Sequence, residues 1–174
     1  MDPIQELLRH IRDVPDFPKK GIVFKDITPL LQNPRTFQMA VDLLSDQFVG
    51  KGVQVVVGAE ARGFIIASPL AYKLGAGFVL VRKPGKLPWE KEKISYQLEY
   101  GTDALEIHRD AIRPGMKVLV ADDLLATGGT AEACATLVEK MGGEVVGMAF
   151  FIELAFLKAR ERLGRYPITS LLQF

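Results

Sequence analysis

Two rhythms of apolar residues alternate along the chain. Short apolar runs at Val53–Val57, Phe78–Val81, Met116–Ala121, Val145–Ile152 and Ile168–Leu172 have the length and β-branched content of buried strands. Between them, apolar residues three and four apart predict helices. One spans Asp2 to about Asp13, with Asp2 as cap and Pro3 in the first turn. A second covers Pro34–Phe48, with Phe37, Ala40, Val41 and Leu44 on one face. A third ends near Leu74 with Gly75 behind it. Ala131, Ala135, Val138 and Met141 mark a fourth, stopped by Gly142-Gly143, and Ala155–Leu163 a fifth. Ile94–Tyr100 and Ala104–Arg109 alternate apolar with polar around Gly101-Thr102-Asp103, which predicts a β-hairpin. Strands alternating with helices imply an α/β fold: a mostly parallel sheet, crossovers between its strands, and helices flanking it.

Composition narrows the class. At 174 residues and 48% hydrophobic content the chain fits one domain with a sizeable core. A net charge of +1 argues against a nucleic-acid or membrane surface as partner. No apolar run reaches membrane-spanning length, and charges at Glu6, Arg9, Arg12 and Asp13 interrupt any signal-peptide core. The expectation is a soluble, cytoplasmic protein. A single cysteine, Cys134, excludes an internal disulfide and reads as helix packing.

The chemistry concentrates in Val118-Leu-Val-Ala-Asp-Asp-Leu-Leu-Ala-Thr-Gly-Gly-Thr130. An apolar strand ends on Asp122 and Asp123, a loop of small and hydroxyl residues follows (Ala126, Thr127, Gly128, Gly129, Thr130), and a helix begins. Glycines let backbone amides turn toward an anion, and the helix start adds positive dipole. Carboxylates that accept only suit the vicinal hydroxyls of a sugar. Each half alone reads as an ordinary turn; together they describe a site for a phosphate joined to a polyol. No Gly-Lys-Ser/Thr is present, so a Walker-type loop is a poor rival.

A second strand-to-helix turn, Gly58-Ala-Glu-Ala-Arg-Gly-Phe64, offers amides and a guanidinium to another anion. Arg82-Lys83-Pro84-Gly85-Lys86 adds three cations after the next strand. Read alone, these are a turn and a solvated loop. No metal cluster is visible, since His10 and His108 stand apart from other ligands.

The string from Val118 to Thr130 resembles the phosphoribosyl-pyrophosphate (PRPP) motif of the type I phosphoribosyltransferases. That resemblance assigns Asp122 and Asp123 to the ribose hydroxyls and Ala126–Thr130 to the 5′-phosphate. It makes Glu60, Ala61, Arg62 and Gly63 a pyrophosphate loop, with Lys83 beside it and Lys86 a weaker candidate. A cis non-proline peptide is known at that loop in the wider superfamily. Ser95-Tyr-Gln-Leu-Glu-Tyr-Gly101 resembles the mobile catalytic loop of the adenine-specific branch, S-Y-x-L-E-Y-G, after a charged segment, Pro88–Lys93, suited to a lid. Glu99 then handles a proton at the purine, Tyr100 closes the site and Arg62 stabilises the leaving group. Without the resemblance, Glu99 and Tyr100 read as ordinary strand residues.

Phe17-Pro-Lys-Lys-Gly-Ile-Val-Phe-Lys-Asp-Ile-Thr-Pro29 resembles the amino-terminal hood of the same branch. It points to adenine binding by the Val23 backbone, the Phe24 ring and Lys25. Lys20 replaces the usual second proline, and Lys25 stands where arginine is common, turning a bidentate contact into a point charge. Phe151-Ile-Glu-Leu154 and Ser170-Leu-Leu-Gln-Phe174 also match the branch, with Ala159 in place of a frequent glycine. The resemblance thus implies the type I phosphoribosyltransferase fold over residues 1–174. Within it, about 1–33 would be the hood and N-terminal helix, and about 83–110 a flexible loop and β-hairpin lid. It implies an enzyme of purine salvage, converting adenine and PRPP into AMP and pyrophosphate, with Mg²⁺ bound alongside PRPP and a homodimeric state. A sister activity on xanthine and a non-catalytic regulator that senses PRPP are the rival readings; a regulator of nucleic acid would need the basic surface this chain lacks.

Overall fold

A computed structural model describes residues 2–98 and 101–174. They form two compact units, a smaller one running to Leu43 and a larger one from Leu44 to Phe174.

In the smaller unit, α1 (Pro3–Leu8) starts where expected: the Asp2 carboxylate accepts from the Ile4 amide and Pro3 opens the first turn. It stops five residues short of the predicted Asp13. The chain instead forms β1 (Arg12–Pro15), paired antiparallel with β2 (Val23–Asp26) in the register Arg12↔Asp26 to Pro15↔Val23. A pairing between residues eight to fourteen apart leaves no trace in local periodicity, so the helical pattern runs on past the true end of α1. After β2, the Asp26 carboxylate accepts from the Thr28 amide and hydroxyl at the start of α2 (Thr28–Gln32). Asn33 then caps α3 (Pro34–Asp46), its side-chain oxygen accepting from the Arg35 and Thr36 amides.

The larger unit is built on a seven-stranded sheet in the order β5-β6-β4-β3-β7-β8-β9. Its strands are β3 (Val55–Ala59), β4 (Gly77–Arg82), β5 (Lys91–Leu98), β6 (Gly101–His108), β7 (Lys117–Leu125), β8 (Glu144–Glu153) and β9 (Ile168–Gln173). From β4 through β3, β7 and β8 to β9 every neighbour is parallel; among the described strands of this sheet β6 alone is reversed, antiparallel to both β4 and β5. The mostly parallel α/β sheet read from the sequence is therefore the fold. Helix α4 (Arg62–Leu74) connects β3 to β4 and ends on Gly75 at φ 64°. Helix α5 (Gly129–Lys140) connects β7 to β8, and its Ala133, Cys134, Leu137 and Val138 join Val57, Val120 and Phe150 in one buried cluster.

Four boundaries moved, each for a tertiary reason. Strand β3 lies two residues later than Val53–Val57, because Gln54 is already committed to bonds with Lys117 and Gly77. The hairpin begins at Lys91, so Lys91-Glu92-Lys93 is strand rather than loop. It is an edge strand, where charges are solvated and Glu92 meets Arg109 at 3.0 Å and Lys140 at 2.8 Å. Gly101-Thr102-Asp103 also belongs to a strand, with Leu98↔Gly101 as the last described pair. The helix expected over Ala155–Leu163 breaks at Lys158 (φ 55°) into a 3₁₀ turn, Ala155–Leu157, and α6, Ala159–Arg162.

A fifth shift bears on function. Strand β7 does not end at Ala121 but continues through both carboxylates to Leu125. Its β8 edge stays paired as far as Leu125↔Glu153, whereas β3 leaves it after Gly58↔Ala121. One edge holds the chain extended while the other opens, and the opening is where Asp122 and Asp123 stand.

Candidate active site

That opening is a cleft of about 270 Å³ lined by residues 60–63, 122–131 and Phe150. Two segments sixty residues apart, each read separately from the sequence as anion-binding, thus share one cavity.

Its floor is the turn from β7 into α5. Gly128 sits at φ 85° immediately before the helix, a backbone that favours glycine. A Cβ there would also lie 3.1 Å from Leu163 and 3.3 Å from Ala159, so α6 backs the loop closely. No side chain caps α5, which leaves its first amides for a ligand. Thr127 is exposed and Thr130 half-buried at the rim.

The carboxylates differ in surroundings. Asp123 is 4% exposed and its Oδ2 lies 3.1 Å from Arg62 Nε, across the cleft. Asp122 is half-buried as a residue, but its carboxyl points inward, with Oδ1 accepting from the Asp123 amide at 2.9 Å. A Cβ on Gly63 would lie 2.9 Å from that same oxygen, so glycine at 63 is what leaves room for it. Burial, then the neighbouring Asp123 charge, pushes the Asp122 carboxyl well above its ordinary range, with Arg62 opposing. A hydroxyl donor entering here would meet two carboxyl groups side by side.

On the opposite wall, the Glu60–Ala61 peptide is cis. Glu60 lines the cleft, but its Oε1 accepts from the Lys83 amide at 2.7 Å and Arg82 Nε at 3.2 Å, tying the loop to the end of β4. Lys83 lies outside the lining, with Nζ 3.8 Å from Asp103. Val23, Phe24 and Lys25 belong to the smaller unit. Val23 is 49% exposed, the Phe24 ring meets Phe17 edge-on at 5.3 Å, and Lys25 Nζ bonds Asp13 at 2.6 Å. Glu99 and Tyr100, assigned to catalysis, lie outside the described residues. Among the described residues no group of three or more His, Cys, Asp or Glu converges on a point.

Two side chains beside the loop were not singled out in the sequence. Tyr96, on β5, places its hydroxyl 3.4 Å from Thr130 Oγ1 and 3.5 Å from Asp103. Arg162, on α6, brings Nη1 to 3.3 Å from where a Gly129 Cβ would be and pairs with Glu132 at 3.3 Å. Tyr96 stood inside a quoted motif; Arg162 carried no signal, because only the packing of α6 delivers it.

A Gly-capped helix start, a carboxylate pair and an Arg-bearing turn thus surround one cleft, the groups with which a transferase would hold a phosphorylated sugar. A sequence model of the phosphoribosyl transferase domain matches residues 28–167. The adenine phosphoribosyltransferase of Geotalea daltonii is 59% identical over 98% of this chain and its own full length. The crystal structure of adenine phosphoribosyltransferase from Thermoanaerobacter pseudethanolicus superposes with a TM-score of 0.95 at 51% identity, covering 98% of this chain and 99% of that one. The Saccharomyces cerevisiae enzyme, complexed with an imino-altritol bisphosphate and adenine, gives 0.92 at 42% identity over 98% of each chain. The chain belongs to the phosphoribosyl transferase family, on its adenine phosphoribosyltransferase branch.

Proposed function

We propose that this protein transfers the 5-phosphoribosyl group of PRPP to adenine, forming AMP and releasing pyrophosphate in purine salvage. The observation that carries the reading is the shared cleft. A phosphate loop, a carboxylate pair and the Arg62 turn lie in the order that a phosphate, a ribose and a pyrophosphate follow along one substrate.

The amides of Ala126–Thr130 and the two threonine hydroxyls hold the 5′-phosphate, and Asp122 and Asp123 accept from the ribose hydroxyls. Those donors draw the Asp122 carboxyl back toward its ionised form. As the bond from the anomeric carbon to pyrophosphate breaks, charge grows on the leaving oxygens; Arg62 and Lys83, with the Glu60–Gly63 turn, stabilise it. The adenine ring nitrogen attacks that carbon and loses its proton to Glu99, with Tyr100 closing the site. Phe24 stacks on the base, the Val23 carbonyl accepts from its exocyclic amine, and Lys25 adds positive charge. Two adjacent carboxylates without a third ligand suit a Mg²⁺ bound mainly through substrate phosphates, where it would neutralise leaving-group charge. The 174 residues act as one domain in a cytoplasmic homodimer; the length, the composition and the family support this.

Labelled PRPP offered with adenine, hypoxanthine, guanine and xanthine tests the reading. AMP is the expected product, with strong discrimination against bases that present a carbonyl to the Val23 carbonyl. Preferred turnover of xanthine would replace the base assignment, and binding of PRPP without turnover of any base would make the chain a sensor.

A further inference from the structure

The end of β4 presents Arg82, Lys83 and Lys86, yet two carboxylates are spent beside it. Glu60 Oε1 accepts from the Lys83 amide at 2.7 Å. Glu106, on β6, is 5% exposed and its Oε2 accepts from the Gly85 amide at 3.1 Å. Between these amides stands Pro84, which has no N–H. Every backbone donor from Lys83 to Gly85 is therefore held by a carboxylate reaching in from another element. Gly85, at φ 81°, supplies the left-handed turn that aims its amide.

A buried carboxylate is costly, and placing one next to cations meant for a polyanion opposes the binding of that anion. Its neighbours along β6, Leu105 and Ile107, are apolar and belong to the core, so Glu106 is the one carboxylate in a buried stretch of strand. Arg82 is its register partner on β4, so Glu106 stands at the root of the basic loop.

We propose that Glu106 is a positioning residue. By holding the Gly85 amide it fixes the Lys83-Pro84-Gly85-Lys86 turn, and so the ammonium groups that receive pyrophosphate. It never touches substrate itself. The inference rests on the assignment of Lys83 to pyrophosphate, and reach rather than charge is the property it requires.

Two substitutions separate these. Glu106→Gln keeps the length and an accepting oxygen but loses the charge; Glu106→Asp keeps the charge but is one methylene too short. Steady-state kinetics of the reverse reaction, from AMP and pyrophosphate, would be measured for both. In Glu106→Asp the KM for pyrophosphate is expected to rise about tenfold, as for one lost hydrogen bond to the Gly85 amide. Its KM for AMP should move less than about twofold, while Glu106→Gln stays near wild type in both. Unchanged pyrophosphate KM in Glu106→Asp, or a rise as large in Glu106→Gln, would overturn the proposal. Lys83→Ala, run in parallel, keeps the failures apart. An unaffected Lys83→Ala removes the underlying assignment, whereas an affected Lys83→Ala with an unaffected Glu106→Asp removes the role of Glu106 alone.

Discussion

The two walls of the cleft are made of different materials. The phosphate wall, Ala126–Thr130, is backbone: a left-handed glycine, an uncapped helix start, and α6 pressed against Gly128 from behind. Facing it is the Glu60–Gly63 turn and, outside the lining, the end of β4, where long side chains are held by carboxylates: Glu60 on Arg82, Asp123 on Arg62, Asp103 on Lys83. On the proposed function, a phosphate carried through the reaction unchanged would be served by a rigid cradle, and a pyrophosphate that must arrive, gain charge and leave by cations with alternative partners. Each cation here has a protein carboxylate to return to, so releasing the product costs less than stranding an unpaired charge.

If that division of labour is right, substitutions on the two walls separate turnover from binding. The largest effect is expected at the hairpin. Glu99→Gln should lower turnover by about 100-fold to 10,000-fold, with PRPP affinity, measured by calorimetry, nearly unchanged. Single-turnover rates close to wild type would remove Glu99 from catalysis and dissolve the contrast.

Next comes the junction of the walls. Asp122→Asn should weaken PRPP binding by roughly 1–3 kcal/mol, because an amide offers a poorer acceptor to a ribose hydroxyl. The same change should stabilise the ligand-free protein. Burial raises the Asp122 pKa in the fold above its ordinary 3.8, so the wild type loses stability as pH rises through the raised value. The gain in Tm for Asp122→Asn should accordingly be full above that value and shrink as pH falls toward 3.8. An Asn variant less stable than wild type at neutral pH would contradict the burial argument.

The smallest effect sharpens the comparison. Tyr96→Phe removes a hydroxyl that lies 3.4 Å from Thr130 and 3.5 Å from Asp103, bridging the two walls. A loss of about 0.5–1 kcal/mol in PRPP affinity is expected. A larger loss in turnover than in affinity would show that this contact couples the hairpin to the cradle.

Helix boundaries at Gly75 and Gly142, the buried strands and the parallel order were all legible in the sequence, because each rests on local rules: periodicity, stop signals and alternation. The two chemistry-bearing segments, residues 58–64 and 118–130, were legible too, because each is contiguous; that they line one cleft was not. The β1–β2 pairing, the edge strand at Lys91–Lys93 and the break at Lys158 were not legible, since each depends on a partner distant in sequence.

The sequence alone determined which donors and acceptors this chain can offer, because amides, hydroxyls and carboxylates keep their chemistry in any fold. Only the tertiary structure decided that the strand runs on through Asp122 and Asp123, and that Gly63 makes space for one carboxylate while Arg62 pairs with the other. It alone brought Glu106 under the basic turn. Those outcomes depend on which strand edge stays paired and which backbones approach within a methyl group's width, and such distances between remote segments are set only when the core packs.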